Sequence, residues 1–194
     1  MTARLDRRTV VARLLARRSD SLVVTGLGAP TYDVAAAGDD DRNFYLWGAM
    51  GGAALVGLGL ALAQPQRSVV VITGDGEMLM GMGGFATIAA QSPGNLTIVV
   101  LDNGVYGETG GQASHTQLGA DLAGVARACG IADAAHVATM LAVDELAASL
   151  ARPAGATRVR VIAIADEEQP RVIPERDGAV LKARFRNALG LPAM

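Results

Sequence analysis

Cysteine occurs once, at Cys129. A single thiol excludes an internal disulfide, a zinc site built from a cysteine cluster, and an iron–sulfur cluster held by this chain alone. Charge of one sign is also lacking. The 17 Lys+Arg and 19 Asp+Glu leave a net charge of −2, which makes no general case for nucleic acid or acidic membrane as a partner. Two nucleotide signatures are missing as well: no Gly-x-Gly-x-x-Gly follows a strand-like run, and there is no P-loop lysine. What the chain has in excess is glycine, 24 of 194 residues, well above the usual ~7%. With 51% hydrophobic and 19% charged residues it reads as globular. Residues 1–194 are expected to form one domain.

Arginines at 4, 7, 8, 13, 17 and 18 crowd the first eighteen residues. Val11, Leu14, Leu15 and Arg18 follow helical spacing, so the segment reads as a surface helix with a solvated basic face rather than a targeting peptide. The twenty residues 44–63 carry no charge, which is long enough to span a bilayer. Five of them are glycines, no basic cluster flanks them, and Gln64-Pro65 ends the run. A loop followed by a buried, closely packed helix is the better reading. With no signal peptide evident, a cytoplasmic location is expected.

Along the chain, apolar β-branched runs alternate with helical patterns. Strands are expected at 22–25, 69–73, 96–101 and 159–164. Helices are expected near 32–37 and at 53–63, 85–91, 118–129, 144–150 and 179–189. Residues 39–41 read as a loop, as does the polar stretch 166–178. The runs 69–73 and 96–101 show no polar alternation, as in a sheet covered on both faces. This order predicts an α/β domain, doubly wound around a mostly parallel sheet.

Glycines fall at the carboxyl ends of those strands, where open α/β sheets bind ligands. Gly26 and Gly28 follow the first strand, Gly74-Asp75-Gly76 the second long one, and Asp102-Asn103-Gly104 the third. Glycine lets backbone amides approach a phosphate. A carboxylate and an amide oxygen suit a hard cation such as Mg²⁺. Each turn alone is weak. Together they are not, because Asp75 precedes Asn103 by 28 residues, enough for a helix and a return strand that bring both side chains to one place.

Gly74-Asp75-Gly76 followed at this distance by Asp102-Asn103 resembles the thiamine diphosphate motif. The longer segments 74–89 and 106–112, the stretch Phe44-Tyr45-Leu46-Trp47-Gly48-Ala49-Met50-Gly51, and the tail around Pro170-Arg171-Val172 resemble the diphosphate-binding domain of sulfopyruvate and phosphonopyruvate decarboxylases. The resemblance covers nearly the whole chain and implies the thiamine diphosphate-binding fold. It implies that Asp75, the Asn103 side chain and the Val105 carbonyl hold Mg²⁺. Gly74, Gly76 and the Glu77 amide would cradle the diphosphate, with Tyr106 nearby. The Gly48 carbonyl would meet the aminopyrimidine and Met50 would wedge beneath the cofactor, a use suited to a flexible, polarizable side chain. Gly26, Gly28 and Thr31 are looser candidates for diphosphate contact.

Two departures stand out. Asp102 replaces the first Asn of the usual pair. Glu77 puts a carboxylate beside a diphosphate, so its side chain is expected to turn away and cap the next helix.

The resemblance further implies decarboxylation of a small 2-oxo acid, with the activating glutamate on a pyrimidine-binding domain. That domain is expected on a separate partner subunit, in a hetero-oligomer that also self-associates. Glu108 and His115 are the candidate catalytic residues of this chain, while His136, in a strand-like stretch, reads as structural. Two alternatives remain at this point: a subunit of a thiamine-dependent 2-oxo-acid oxidoreductase or acyloin-forming lyase, and a non-catalytic cofactor-binding domain.

Overall fold

The structure, a computed structural model, describes residues 4–192. In chain order the elements are α1 (Arg7–Leu15), β1 (Leu22–Thr25), α2 (Ala29–Ala36), β2 (Asn43–Tyr45), α3 (Ala53–Ala63), β3 (Val69–Gly74), α4 (Asp75–Met80), α5 (Gly84–Gln91) and β4 (Leu96–Asp102). There follow β5 (Val105–Tyr106), a 3₁₀ turn (Gly107–Thr109), β6 (Gln112–Ala113), α6 (Leu122–Ala128), β7 (Asp133–Val137), α7 (Met140–Ser149), β8 (Arg158–Ala163) and α8 (Gly178–Ala188). The main sheet has the order β2-β1-β3-β4-β8-β7, and every pairing in it is parallel.

Alternation along the central strands builds three layers. Val69 and Val71 of β3 and Leu96, Ile98 and Val100 of β4 face a core that includes side chains of α3, α5 and α6. Val70 and Ile72 of β3 and Val99 and Leu101 of β4 face the opposite core, with α1, α2 and α7. Both faces are apolar, so the strands read as unbroken hydrophobic runs. Each fully buried Val, Leu or Ile contributes about 1.5–3 kcal/mol by leaving water.

The structure moves several expected boundaries. Gly74-Asp75-Gly76 is not a turn: β3 ends at Gly74 and α4 begins at Asp75 with no intervening loop. The helix expected near 32–37 starts at Ala29, because Gly28 adopts φ +78° as its N-cap and Pro30 lies in its first turn. The helix expected at 118–129 starts only at Leu122. Gly119 adopts φ +110°, and the amides of Leu118 and Ala120 donate back to the His115 carbonyl, closing a turn first. The helix expected at 144–150 starts earlier, at Met140, where the Thr139 hydroxyl accepts from the Ala142 amide at 3.2 Å.

The basic face of α1 is not simply solvated. Arg7 and Arg8 both pair with the fully buried Asp33, at 2.9 and 3.0 Å, and Arg18 is itself buried. No helix of the described residues is long and apolar enough to cross a membrane. The uncharged run at 44–63 resolves into β2, a loop and the 11-residue α3.

Candidate cofactor site

The register of the sheet assembles the site. Gly74 of β3 pairs with Leu101 of β4, so Asp75 and Asp102 leave neighbouring strand ends at the same level. Thr116 joins them: its hydroxyl lies 3.0 Å from Asp75 Oδ2 and 2.7 Å from Asp102 Oδ1. The buried Ser114 hydroxyl also donates to Asp75 Oδ2. Burial pushes the Asp75 carboxyl above its ordinary range and the Asp102 charge adds to this, against the pull of the Ser114 and Thr116 hydroxyls. A cation beside Asp75 would relieve that cost. Asn103 Oδ1 accepts from the Val105 amide at 3.2 Å, which turns the chain so that Asn103 and Val105 line the same cleft.

That cleft holds about 720 Å³ and is lined by Met50, Gly74, Asp75, Gly76, Glu77, Asn103, Val105, Tyr106 and Glu108. Met50 is 54% exposed, so it is not a core side chain. The Tyr106 ring covers Gly76, where a Cβ would stand 2.7 Å from it. Glu108 leans toward Gly28, whose Cβ position is 2.7 Å from its side chain.

Glu77 turns inward. Its carboxylate accepts from the Thr73 hydroxyl at 2.8 Å and from the Ala53 amide, in the first turn of α3, at 3.3 Å. Burial pushes its carboxyl up, opposed by these donors. The helix it caps is therefore not the next one, as expected, but α3, earlier in the chain, and one carboxylate oxygen fills the space over Gly26.

Gly26, Gly28, Thr31, Gly48 and His115 are not among the residues lining the cleft. Thr31 is buried, and its hydroxyl is taken up by the Gly26 carbonyl at 2.6 Å. Gly48 is exposed with φ +74°. His115 reaches the cleft only through Tyr106, with Nδ1 2.9 Å from the Tyr106 hydroxyl. His136 lies on β7 and meets Asp121 Oδ1 at 2.8 Å.

Sequence reasoning passed over Ser114 and Thr116, which flank the His115 it singled out. Ser114 follows β6 and Thr116 lies in the turn after it, so no periodicity marked them in the sequence. It also missed that residues 166–169 and Arg171 of the polar loop line the cleft.

Residues 38–164 match the family model described as thiamine pyrophosphate enzyme, C-terminal TPP binding domain. The chain belongs to the thiamine pyrophosphate enzymes. It is 46% identical over 126 residues to sulfopyruvate decarboxylase subunit beta of Methanothermobacter thermautotrophicus, covering 65% of this chain and 67% of that one. It is 47% identical over 150 residues to phosphonopyruvate decarboxylase of Streptomyces viridochromogenes, covering 77% of this chain but only 36% of that longer one. Among solved structures, benzoylformate decarboxylase from Polynucleobacter necessarius superposes with a TM-score of 0.73 over 86% of this chain and 34% of that chain, at 21% identity. That likeness shows the fold.

The thiamine pyrophosphate-binding domain presents groups that fit its cofactor. No group of three or more His, Cys, Asp or Glu able to hold a metal exists among the described residues. The oxygens of Asp75, Asn103 and Val105 are a partial, hard set, suited to Mg²⁺ that completes its shell with diphosphate oxygens and water.

Proposed function

We propose that this chain is the diphosphate-holding component of a two-component decarboxylase that acts on small 2-oxo acids of the sulfopyruvate and phosphonopyruvate type. The observation that carries the reading is the cleft itself. It gathers Asp75, Asn103 and Val105 beside the first turn of α4, and it includes the exposed Met50. The relatives' names supply the substrate type.

In this reading Asp75, the Asn103 amide oxygen and the Val105 carbonyl hold Mg²⁺. The Gly74–Glu77 backbone receives the diphosphate, Met50 supports the cofactor from below, and the Gly48 carbonyl meets its aminopyrimidine. When bound, thiamine diphosphate supplies a nucleophilic carbon and an electron sink for loss of carbon dioxide. Gly26 and Thr31 serve by shaping the β1–α2 corner. Glu108, which lines the cleft, meets the substrate there, and His115 acts through the Tyr106 hydroxyl to which it is hydrogen-bonded.

The activating glutamate comes from a pyrimidine-binding partner subunit. The partner covers the exposed apolar side chains of Met50, Leu55, Val56 and Met80. The backbones of Gly51 and Gly81, which follow Met50 and Met80 in sequence, approach closely. That Met50 and Met80 also line the cleft supports placing the partner subunit here. The assembly works in the cytoplasm as a hetero-oligomer that also self-associates.

The test is co-expression with a pyrimidine-domain chain, followed by a screen of 2-oxo acids with thiamine diphosphate and Mg²⁺. Turnover by the complex and none by the chain alone supports the proposal; robust turnover by the chain alone overturns it. Calorimetry on the complex checks the metal. Because its shell needs diphosphate oxygens, Mg²⁺ should bind at least about tenfold more tightly with the cofactor than without. Asp75→Ala should abolish Mg²⁺-dependent cofactor binding, and unchanged affinity would refute the assignment.

A further inference from the structure

The exposed Asp166, Glu167, Glu168 and Glu108 all line the cleft. Two arginines also line it, Arg7 and Arg171, and they differ in one respect. Arg7 is committed to the buried Asp33 at 2.9 Å. Arg171 has no carboxylate within 4 Å and makes no hydrogen bond among the described residues. Its guanidinium rests over the Tyr32 ring, 5.6 Å from the centroid. An arginine stacked on an aromatic face keeps its in-plane N–H donors free for an oxyanion.

The segment carrying Arg171 has no regular secondary structure, yet it is tied down on both sides. Before it, Arg8 donates to the Pro170 carbonyl at 2.8 Å and Gln169 donates to Asp6 at 2.9 Å. After it, the Trp47 indole donates to the Glu175 carbonyl at 2.9 Å, and Arg176 lies over the Trp47 ring at 5.4 Å. The uncommitted guanidinium is thus held at the cleft by anchors on α1 and on the loop after β2.

We infer that Arg171 selects the substrate, by binding the anionic group that the 2-oxo acid carries at the end remote from its carboxylate. The inference rests on the proposed decarboxylation. The carboxylate loses its charge as carbon dioxide leaves. A cation gripping it would stabilise the ground state more than the transition state and slow the step. The remote anion keeps its charge throughout, so holding it lowers KM and orients the substrate without that penalty. A sulfonate or phosphonate presents coplanar pairs of oxygens that a guanidinium fork can engage two at a time.

The experiment has two arms. In the reconstituted complex, 3-sulfopyruvate is compared with pyruvate for the wild type, Arg171→Gln and Arg171→Lys. In Arg171→Gln the ratio of kcat/KM for sulfopyruvate to that for pyruvate should fall about 10- to 100-fold, the loss expected for a charge-assisted hydrogen bond. The fall should lie mainly in KM, with Arg171→Lys intermediate. An unchanged ratio, or a matching loss of thiamine diphosphate affinity, overturns the assignment.

The second arm needs neither turnover nor partner. Trp47 is the chain's only tryptophan, and its ring centroid lies 6.3 Å from that of Tyr32. Titrating the full chain with sulfoacetate should change its fluorescence saturably in the wild type and not in Arg171→Gln, while acetate leaves both unchanged. A sulfoacetate response that persists in Arg171→Gln refutes the site. A complex that turns over no 2-oxo acid refutes the proposed function instead, and the fluorescence arm still decides Arg171.

Discussion

Gly26 and Glu77 show how the site depends on single atoms. A Cβ on residue 26 would lie 1.5 Å from Glu77 Oε2 and 2.9 Å from Thr73 Oγ1. The carboxylate cannot move without releasing the Thr73 hydroxyl and the Ala53 amide. Gly26→Ala should therefore cost about 1–3 kcal/mol, as overpacking does. Gly59, exposed on α3 with nothing within 4 Å of a Cβ, is the control. Gly59→Ala should raise stability by about 0.5–1 kcal/mol through helix propensity. Urea denaturation of the two variants checks both signs. Glu77 also explains how an acidic residue can follow the Gly-Asp-Gly: its carboxylate is engaged by the Thr73 hydroxyl and the Ala53 amide.

Elements are held together by a second set of charges, away from the cleft. Asp40, in the loop before β2, takes Arg42 Nε and Nη2 at 2.8 and 2.6 Å and Arg18 Nη2 at 2.8 Å. Arg18 also reaches the Asn43 side chain, so this cluster ties the end of α1 to the edge of the sheet. Asp39 and Arg184 of α8 form the adjoining pair at 2.7 Å. The hydrogen bond from Arg42 holds the Asp40 carboxyl well below the usual carboxylate range, with Arg18 adding to it. A carboxyl lowered on folding stabilises the fold above its unfolded pKa of ~3.9, and that stabilisation fades as pH falls toward the folded value. Asp40→Asn should accordingly cost about 2 kcal/mol near pH 7 and clearly less near pH 2.5. Denaturant melts at the two pH values check this; an equal penalty at both would contradict it.

At the scale of the whole molecule, exposed apolar side chains lie beside the cleft, and in the proposed function another chain completes it there. Val56 is exposed on α3, and its side chain supports neither core. Val56→Arg should leave the thermal melt nearly unchanged while reducing recovery of the partner subunit by about tenfold or more in size-exclusion chromatography, since a buried unpaired charge at an interface is strongly penalised. Loss of self-association with full capture of the partner would assign the surface to a second copy of this chain instead.

Much of this was legible in the chain alone, because it depends on local pattern. Uniform apolar runs specified parallel strands buried on both faces, and α3 was read at its observed bounds of Ala53–Ala63. The strand-end placement of Gly74-Asp75 and Asp102-Asn103 pointed to one crevice, and their longer context resembled the family that residues 38–164 match. Other features depended on contacts between residues far apart in sequence. Ser114 and Thr116 reach Asp75 only because β6 folds back on β5. Thr31 looked like a phosphate ligand until packing turned its hydroxyl to Gly26. The arginines near the start looked like one solvated face, but Asp33 takes two of them into the interior. Arg171 stood in a loop without periodicity, and only its tethers to α1 and Trp47 bring it over the cleft. Periodicity and turn chemistry act over a few residues and can be read along a chain. The direction of a polar side chain is set by whichever partner the tertiary fold brings within about 3 Å.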